Sequence, residues 1–271
     1  EEEPEPEEPP EPEPLPEDVL RDAKRRCSRL RGGLIWGMLP ALALVAAAVL
    51  QELEKLPSAW LDESLLRCAA LGAGLLLTAL ACMPVWKQAV SLLREGRAGC
   101  ELCAAVAVLT QLICCVCGMV TGSTRATPYA AAGALLILAC QWGLYLEASA
   151  LRNAYHLLVL NGTVPYVASV TAAGVCREQG TAEGFYRLCS KPDPARRWQN
   201  YALPLVLATA AVLSGVVCFS GGNMSDFPWV LTALTTAGAG LGTPLSGALP
   251  MYYLSRRLSR SGCAAASNRA G

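Results

Sequence analysis

Phe227 to Leu254 reads FPWVLTALTTAGAGLGTPLSGALPMYYL. The run is long and apolar enough to cross a bilayer, for which about 20 such residues suffice. Its second half crowds together Gly238, Gly240, Gly242, Pro244, Gly247 and Pro250, with Thr235, Thr236, Thr243 and Ser246 among them. Proline removes an N–H and clashes with the preceding turn, and glycine frees the backbone. A helix built this way is expected to kink or unwind near Pro244. Bare carbonyls at membrane depth are tolerated only inside protein or beside a watery cavity, and transporters use broken helices to hold ions. Thr235, Thr236, Thr243 and Pro244 are therefore the candidate ion pathway. The competing reading is a helix-packing face, because small residues let helices approach closely.

The composition around this run is that of an integral membrane protein. The chain is 53% hydrophobic, with a mean hydropathy of +0.36 and several runs that carry almost no charge. A formal net charge of zero conceals segregation. Residues 1–18, EEEPEPEEPPEPEPLPED, are nearly all Glu and Pro and are expected to be a disordered tail, taken as 1–20. The acidic start does not fit a signal peptide. The first residue is Glu rather than Met, so an incomplete or processed N-terminus is expected. The 13 cysteines lie mostly in or beside apolar runs and are expected as free thiols rather than a disulfide framework.

Six spans are expected, at about 33–50, 65–85, 100–120, 128–148, 201–220 and 227–254. Nineteen of the 22 Lys and Arg residues fall before the first span, in the second and fourth connections, or after the sixth; Lys55, Arg67 and Arg125 are the exceptions. This asymmetry places both termini in the cytoplasm of a multi-pass protein of the cell membrane. The chain then divides into the tail 1–20, a basic flank with spans one to four (21–148), a small cytoplasmic insertion (149–200), spans five and six (201–254) and a basic stalk (255–271). The fold class is all-α membrane protein, six transmembrane helices with a small mixed α/β insertion between the fourth and fifth. WKQAVSLLREGRAG, from Trp86, reads as an amphipathic helix at the membrane surface.

The order of these pieces resembles the membrane region of heavy-metal-transporting P-type ATPases. KQAVSLLREGRAGCELCAAVAVL is similar to that family's amphipathic platform, and GLYLEASALRNAYHLLVL to the exit of its fourth span. ARRWQNYALPLVLATAAVL, with Pro204, resembles the start of the fifth, and GLGTPLSGALPMYYLSRRLSRSGCA the sixth with its stalk. The resemblance covers about Leu30 to the end. It implies the N-terminal transmembrane part of a P-type-ATPase-like cation (metal) transporter, the lipid bilayer and a metal cation as partners, and no nucleic acid. It implies ATP and Mg2+ only for a full-length active protein, and no catalytic or cofactor-binding residue in this stretch.

The departures from the family pattern point to a second hypothesis, a catalytically inactive membrane scaffold or regulatory protein. The family's Cys-Pro-Cys is replaced by Thr235-Thr236-Ala237 or, in another register, by Thr243-Pro244, which suits a harder cation than Cu(I) or Zn(II). The nearest string to the actuator's T-G-E is Gly180-Thr181-Ala182-Glu183-Gly184, and the insertion is under half the size the family implies. Neither a D-K-T-G motif nor a Gly-rich phosphate loop occurs in the chain. A third option is an unrelated six-span channel or carrier.

Elsewhere, Cys100, Cys103, Cys114 and Cys117 fall within about a 100° arc of one helix. Cys114 and Cys117 are thus a candidate for passing soft metal ions, against the reading that Cys is simply a small buried residue. Glu147 reads equally as an intramembrane acid or a stalk residue, and His156 as a surface residue. The charge asymmetry makes one prediction. A reporter active only outside the cytoplasm should be silent when fused at Gly96 or Gly262 and active at Gly122; the opposite pattern would overturn the orientation.

Overall fold

The computed structural model describes residues 14–53, 55, 64–121, 129–160, 166–171, 174–179, 185, 189 and 194–264. The acidic tail to residue 13, Arg125, the string 180–184 and residues 265–271 lie outside them. The elements in chain order are α1 (Pro16–Glu52), α2 (Ser64–Ala81), α3 (Met83–Arg94), α4 (Cys100–Thr121) and α5 (Ala130–Leu160). Strands β1 (Tyr166–Thr171) and β2 (Gly174–Gln179) follow, then α6 (Pro194–Gly221), a short turn of 3-10 helix (Met224–Asp226), α7 (Phe227–Ala239) and α8 (Thr243–Arg260).

Five helices, α1, α2, α4, α5 and α6, are long and apolar enough to cross a membrane. The chain is thus a predominantly helical protein of multi-pass membrane character. Six spans are expected, the last of them broken near Pro244, and the correction falls on that last one. The run from Phe227 to Leu254 is not one rod but two helices, α7 of 13 residues and α8 of 18, separated by Gly240–Gly242. At 1.5 Å per residue α7 is about 20 Å long, short of the roughly 30 Å hydrocarbon layer. The break also falls before the expected position. Gly240 takes φ 58° and ψ 117°, a left-handed φ that glycine adopts without a Cβ clash. Pro244 then occupies the first turn of α8, where its missing N–H costs no helix bond.

The expected α/β insertion is also corrected. Within 149–200 the described residues comprise the end of α5, one antiparallel hairpin with Tyr166 opposite Gln179 and Thr171 opposite Gly174, isolated helical residues at 185 and 189, and the start of α6. Apart from residues 185 and 189 the helical parts belong to the long helices α5 and α6, and a lone hairpin is marginal by itself, so the described residues build no mixed α/β domain. At the N-terminus, α1 begins at Pro16, inside the stretch 1–20 assigned to the tail. Proline suits that first turn, and Glu17 and Asp18 face the positive end of the helix dipole there.

The helix α5 is the mast of the bundle, packed along its length by α1 and α8 and also by α4 and α2. The buried residues of α1, Leu20, Ala23, Cys27, Leu30, Gly37, Ala41 and Leu44, recur at the three-and-four spacing of one helical face. Close helix approach uses glycine. Gly37 lies under Leu138 and Cys82, and a Cβ built on Gly143 would stand 2.7 Å from the Pro244 carbonyl oxygen. The basic ends of the helices meet at one end of the bundle. There the Cys27 and Ser149 side chains lie 3.7 Å apart, the Ala98 N–H donates to Asn200 Oδ1 at 3.1 Å, and the Ser255 hydroxyl donates to the Ala150 carbonyl at 3.1 Å. At the other end Tyr129 stacks on Trp229 with ring centroids 5.8 Å apart.

The Gly143 contact is with backbone, which cannot swing aside. Gly143→Ala should therefore destabilise the protein by about 1–3 kcal/mol. Gly32→Ala, in a helix with nothing within 4 Å, should be neutral or stabilising. Thermal unfolding in detergent compares the two; equal melting temperatures would refute the close approach.

Candidate functional site

Thr232, Thr235 and Thr236 lie one turn apart on α7, and each donates its hydroxyl proton to a backbone carbonyl of its own helix. Thr232 donates to Pro228 at 2.7 Å, Thr236 to Thr232 at 2.7 Å, and Thr235 to Leu231 at 2.8 Å or Thr232 at 3.1 Å. Opposite them on α4, Thr110 donates to the Ala107 carbonyl at 2.9 Å. With their protons turned inward, these hydroxyls present lone pairs to the seam between α4 and α7. Thr110 Oγ1 and Thr235 Oγ1 stand 3.4 Å apart across it, and Cys114 is within hydrogen-bonding reach of Thr232.

Gln111 closes the seam. Its Nε2 donates to Thr236 Oγ1 at 2.8 Å. Its Oε1 is buried with no hydrogen-bond partner, in the space that a Cβ on Gly133 of α5 would fill. The residue is 0% exposed, midway along an apolar span. A buried carbonyl left unpaired costs about 1–3 kcal/mol, so this amide is a group that a ligand or a second donor would satisfy. A related amide lies on α5 about two turns beyond Gly133. Gln141 Nε2 donates to the Leu30 carbonyl at 3.1 Å, where Gly33 provides room, and Gln141 Oε1 is likewise buried without a partner.

The structure therefore brings three of the expected site residues, Thr235, Thr236 and Cys114, to one seam. Thr243 and Pro244 stand beyond the break, with Thr243 heading α8 and Pro244 buried against Gly143. A helix leaves its final carbonyls without intrahelical partners, and α7 ends at Ala239 directly before this linker. Cys114 is buried and Cys117 half-buried. Cys100 Sγ lies 3.5 Å from Glu101 Oε2, and Cys140 Sγ lies 3.8 Å from the Cys100 carbonyl. Among the described residues, no three His, Cys, Asp or Glu side chains are arranged to hold a metal ion. Glu147 and His156 are exposed.

Sequence reasoning passed over Thr110, Gln111 and Gln141. A signal was available in the run CELCAAVAVLTQLICCVC, where a Thr-Gln pair interrupts an otherwise apolar centre. A polar side chain at that depth faces protein rather than lipid and bonds across helices.

Fold and seam together define a class: a multi-pass helical membrane protein whose last apolar run is interrupted beside buried hydroxyls and an amide. No family model, curated protein or solved structure matches the chain.

The amide and the hydroxyl it bonds are coupled. Thr236→Val keeps the shape but strands Gln111 Nε2, and should cost about 1–3 kcal/mol. The double variant Gln111→Leu/Thr236→Val removes both polar partners and should regain most of that loss. Unfolding of the two singles and the double in a mutant cycle measures the coupling; strict additivity would show that the bond contributes nothing.

Proposed function

We propose that this chain is the N-terminal transmembrane part of a P-type-ATPase-like cation transporter, with α7 and α8 together making a sixth crossing and both termini on the cytoplasmic side. One observation carries the reading. The last apolar run is interrupted at Gly240–Gly242, next to a seam of buried oxygen atoms and pressed against the mast helix at Gly143. Interrupted helices at membrane depth are tolerated where protein or a cavity covers them, and there they supply ion ligands. The gathering of the basic helix ends at one end of the bundle supports an even number of crossings. Residues Trp86, Lys87 and Arg94 of the amphipathic α3 line an open surface cavity of about 500 Å³ at the loop to α4, as expected of a helix at the membrane surface.

ATP and Mg2+ find no site in this stretch, which carries neither a phosphorylation motif nor a phosphate loop. They would be held by residues that follow it in a full-length pump. The second reading is an inactive scaffold or regulatory relative. It is favoured by the small size of the insertion and by the replacement of Cys-Pro-Cys with hydroxyl residues.

Reading the gene beyond Gly271 and assaying the whole protein separates the two. A transporter requires a D-K-T-G motif downstream and cation-stimulated ATP hydrolysis. That hydrolysis should be lost in Gly240→Val, which forces a β-branched residue to φ 58°. A stop codon, a missing aspartate or cation-independent behaviour would rule out the pump and leave the scaffold.

A further inference from the structure

We infer that the seam between α4, α5 and α7 is a binding site for a hard monovalent cation, of the class of Na+ or K+, held by Gln111 Oε1 and the hydroxyl oxygens of Thr110, Thr235 and Thr236. The inference names the substrate class of the proposed transporter and rests on that reading for the ion's passage, but not for its binding.

The first argument is the balance of donors and acceptors. The hydroxyls of Thr110, Thr232, Thr235 and Thr236 each have a carbonyl of their own helix within donating distance, and the Thr110 and Thr235 hydroxyls also face each other at 3.4 Å. With the protons turned to those carbonyls the oxygens present lone pairs to the seam. Gln111 Nε2 donates across it to Thr236 Oγ1, and the same amide holds a fully buried carbonyl with no partner. An amide can exchange its oxygen and nitrogen by a half-turn about its last bond with almost no change in shape. Gly133 leaves the space at which either end can lie. Turned, Gln111 adds its oxygen to those of Thr235 and Thr236, completing an all-oxygen set that a cation satisfies and a further acceptor does not.

The second argument is charge. The nearest acids are Glu101 on α4 and Asp226 just before α7, and Glu147 of α5 lies 14 residues beyond Gly133. At 1.5 Å per residue the first two stand about 15 Å and 9 Å along the axes from Gln111 and Thr232. A neutral oxygen cage offsets the dehydration of one charge more readily than of two, whereas sites for divalent cations recruit carboxylates. The soft alternative is Cys114 beside Thr232. One thiol does not make a thiolate cage.

The test uses the full-length protein in lipid nanodiscs, with melting temperature read in choline, Na+, K+, Mg2+ or Zn2+. Na+ or K+ should raise the melting temperature by about 3–5 °C over choline at saturation, with Mg2+ and Zn2+ ineffective. Gln111→Leu and Thr235→Val should each weaken the apparent affinity at least tenfold. Gln111→Glu, which keeps the shape if the leucine variant does not fold, should transfer the response towards Mg2+. A melting temperature indifferent to the cation would overturn the site. So would a monovalent response that survives the Gln111 and Thr235 variants. A response to Zn2+ alone, lost in Cys114→Ser, would also sink it, yet would leave the transporter reading standing. A pump that fails for want of a downstream aspartate could still bind Na+ or K+ here, so the two failures are distinguishable.

Discussion

The carbonyl oxygen of Pro244 stands 2.7 Å from where a Cβ on Gly143 would sit. In a hydrocarbon layer, interrupted backbone survives only where protein or water covers it. At Gly240–Gly242 the chain leaves one helix and starts another, so polar backbone is exposed on both sides of the linker. The first turn of α8 is brought against the mast helix at Pro244, which is buried there while Leu241 and Gly242 stay exposed, and only a residue without a side chain at Gly143 permits that approach. This approach fixes where the first turn of α8 meets the mast helix.

The mast helix itself is stabilised by a different kind of contact at each level. Near the basic ends it is tied by side chains, Ser149 to Cys27 and the Ala150 carbonyl to Ser255. In its first turn and nearer its middle it accepts neighbours through missing side chains, with Gly133 against Gln111 and Gly143 against Pro244. Lipid is as apolar as leucine, so burial drives helix association weakly in a membrane. Close packing and bonds between helices take over that role. The large apolar side chains that remain exposed, such as Trp36, Leu39 and Leu42 on α1, then require no protein partner.

The α4–α7 seam departs from a well-satisfied core. Hydroxyls that bond back to their own helices are common in membrane spans, and by themselves they mark packing. The unpaired oxygen of Gln111 is different, because nothing in packing requires an amide there. Leucine would fill the same volume. Its presence is what raises the interrupted helix from a geometric curiosity to a candidate site.

The sequence by itself determined that the chain is helical and membrane-bound, where most spans lie, and that the last run could not be a plain helix. Those facts rest on composition, charge asymmetry and the intrinsic backbone properties of glycine and proline, all of which are local. It pointed to a break near Pro244, but not that the chain parts at Gly240, with the proline restarting the helix instead. It proposed Thr235 and Thr236 without their partners Thr110 and Gln111, and it gave Cys114 a soft-metal role without showing it beside Thr232. Those decisions belonged to tertiary structure. Which carbonyl meets which glycine, and whether a buried amide finds a second donor, depends on how helices more than 100 residues apart in sequence lie against one another. No periodicity within a single helix encodes that.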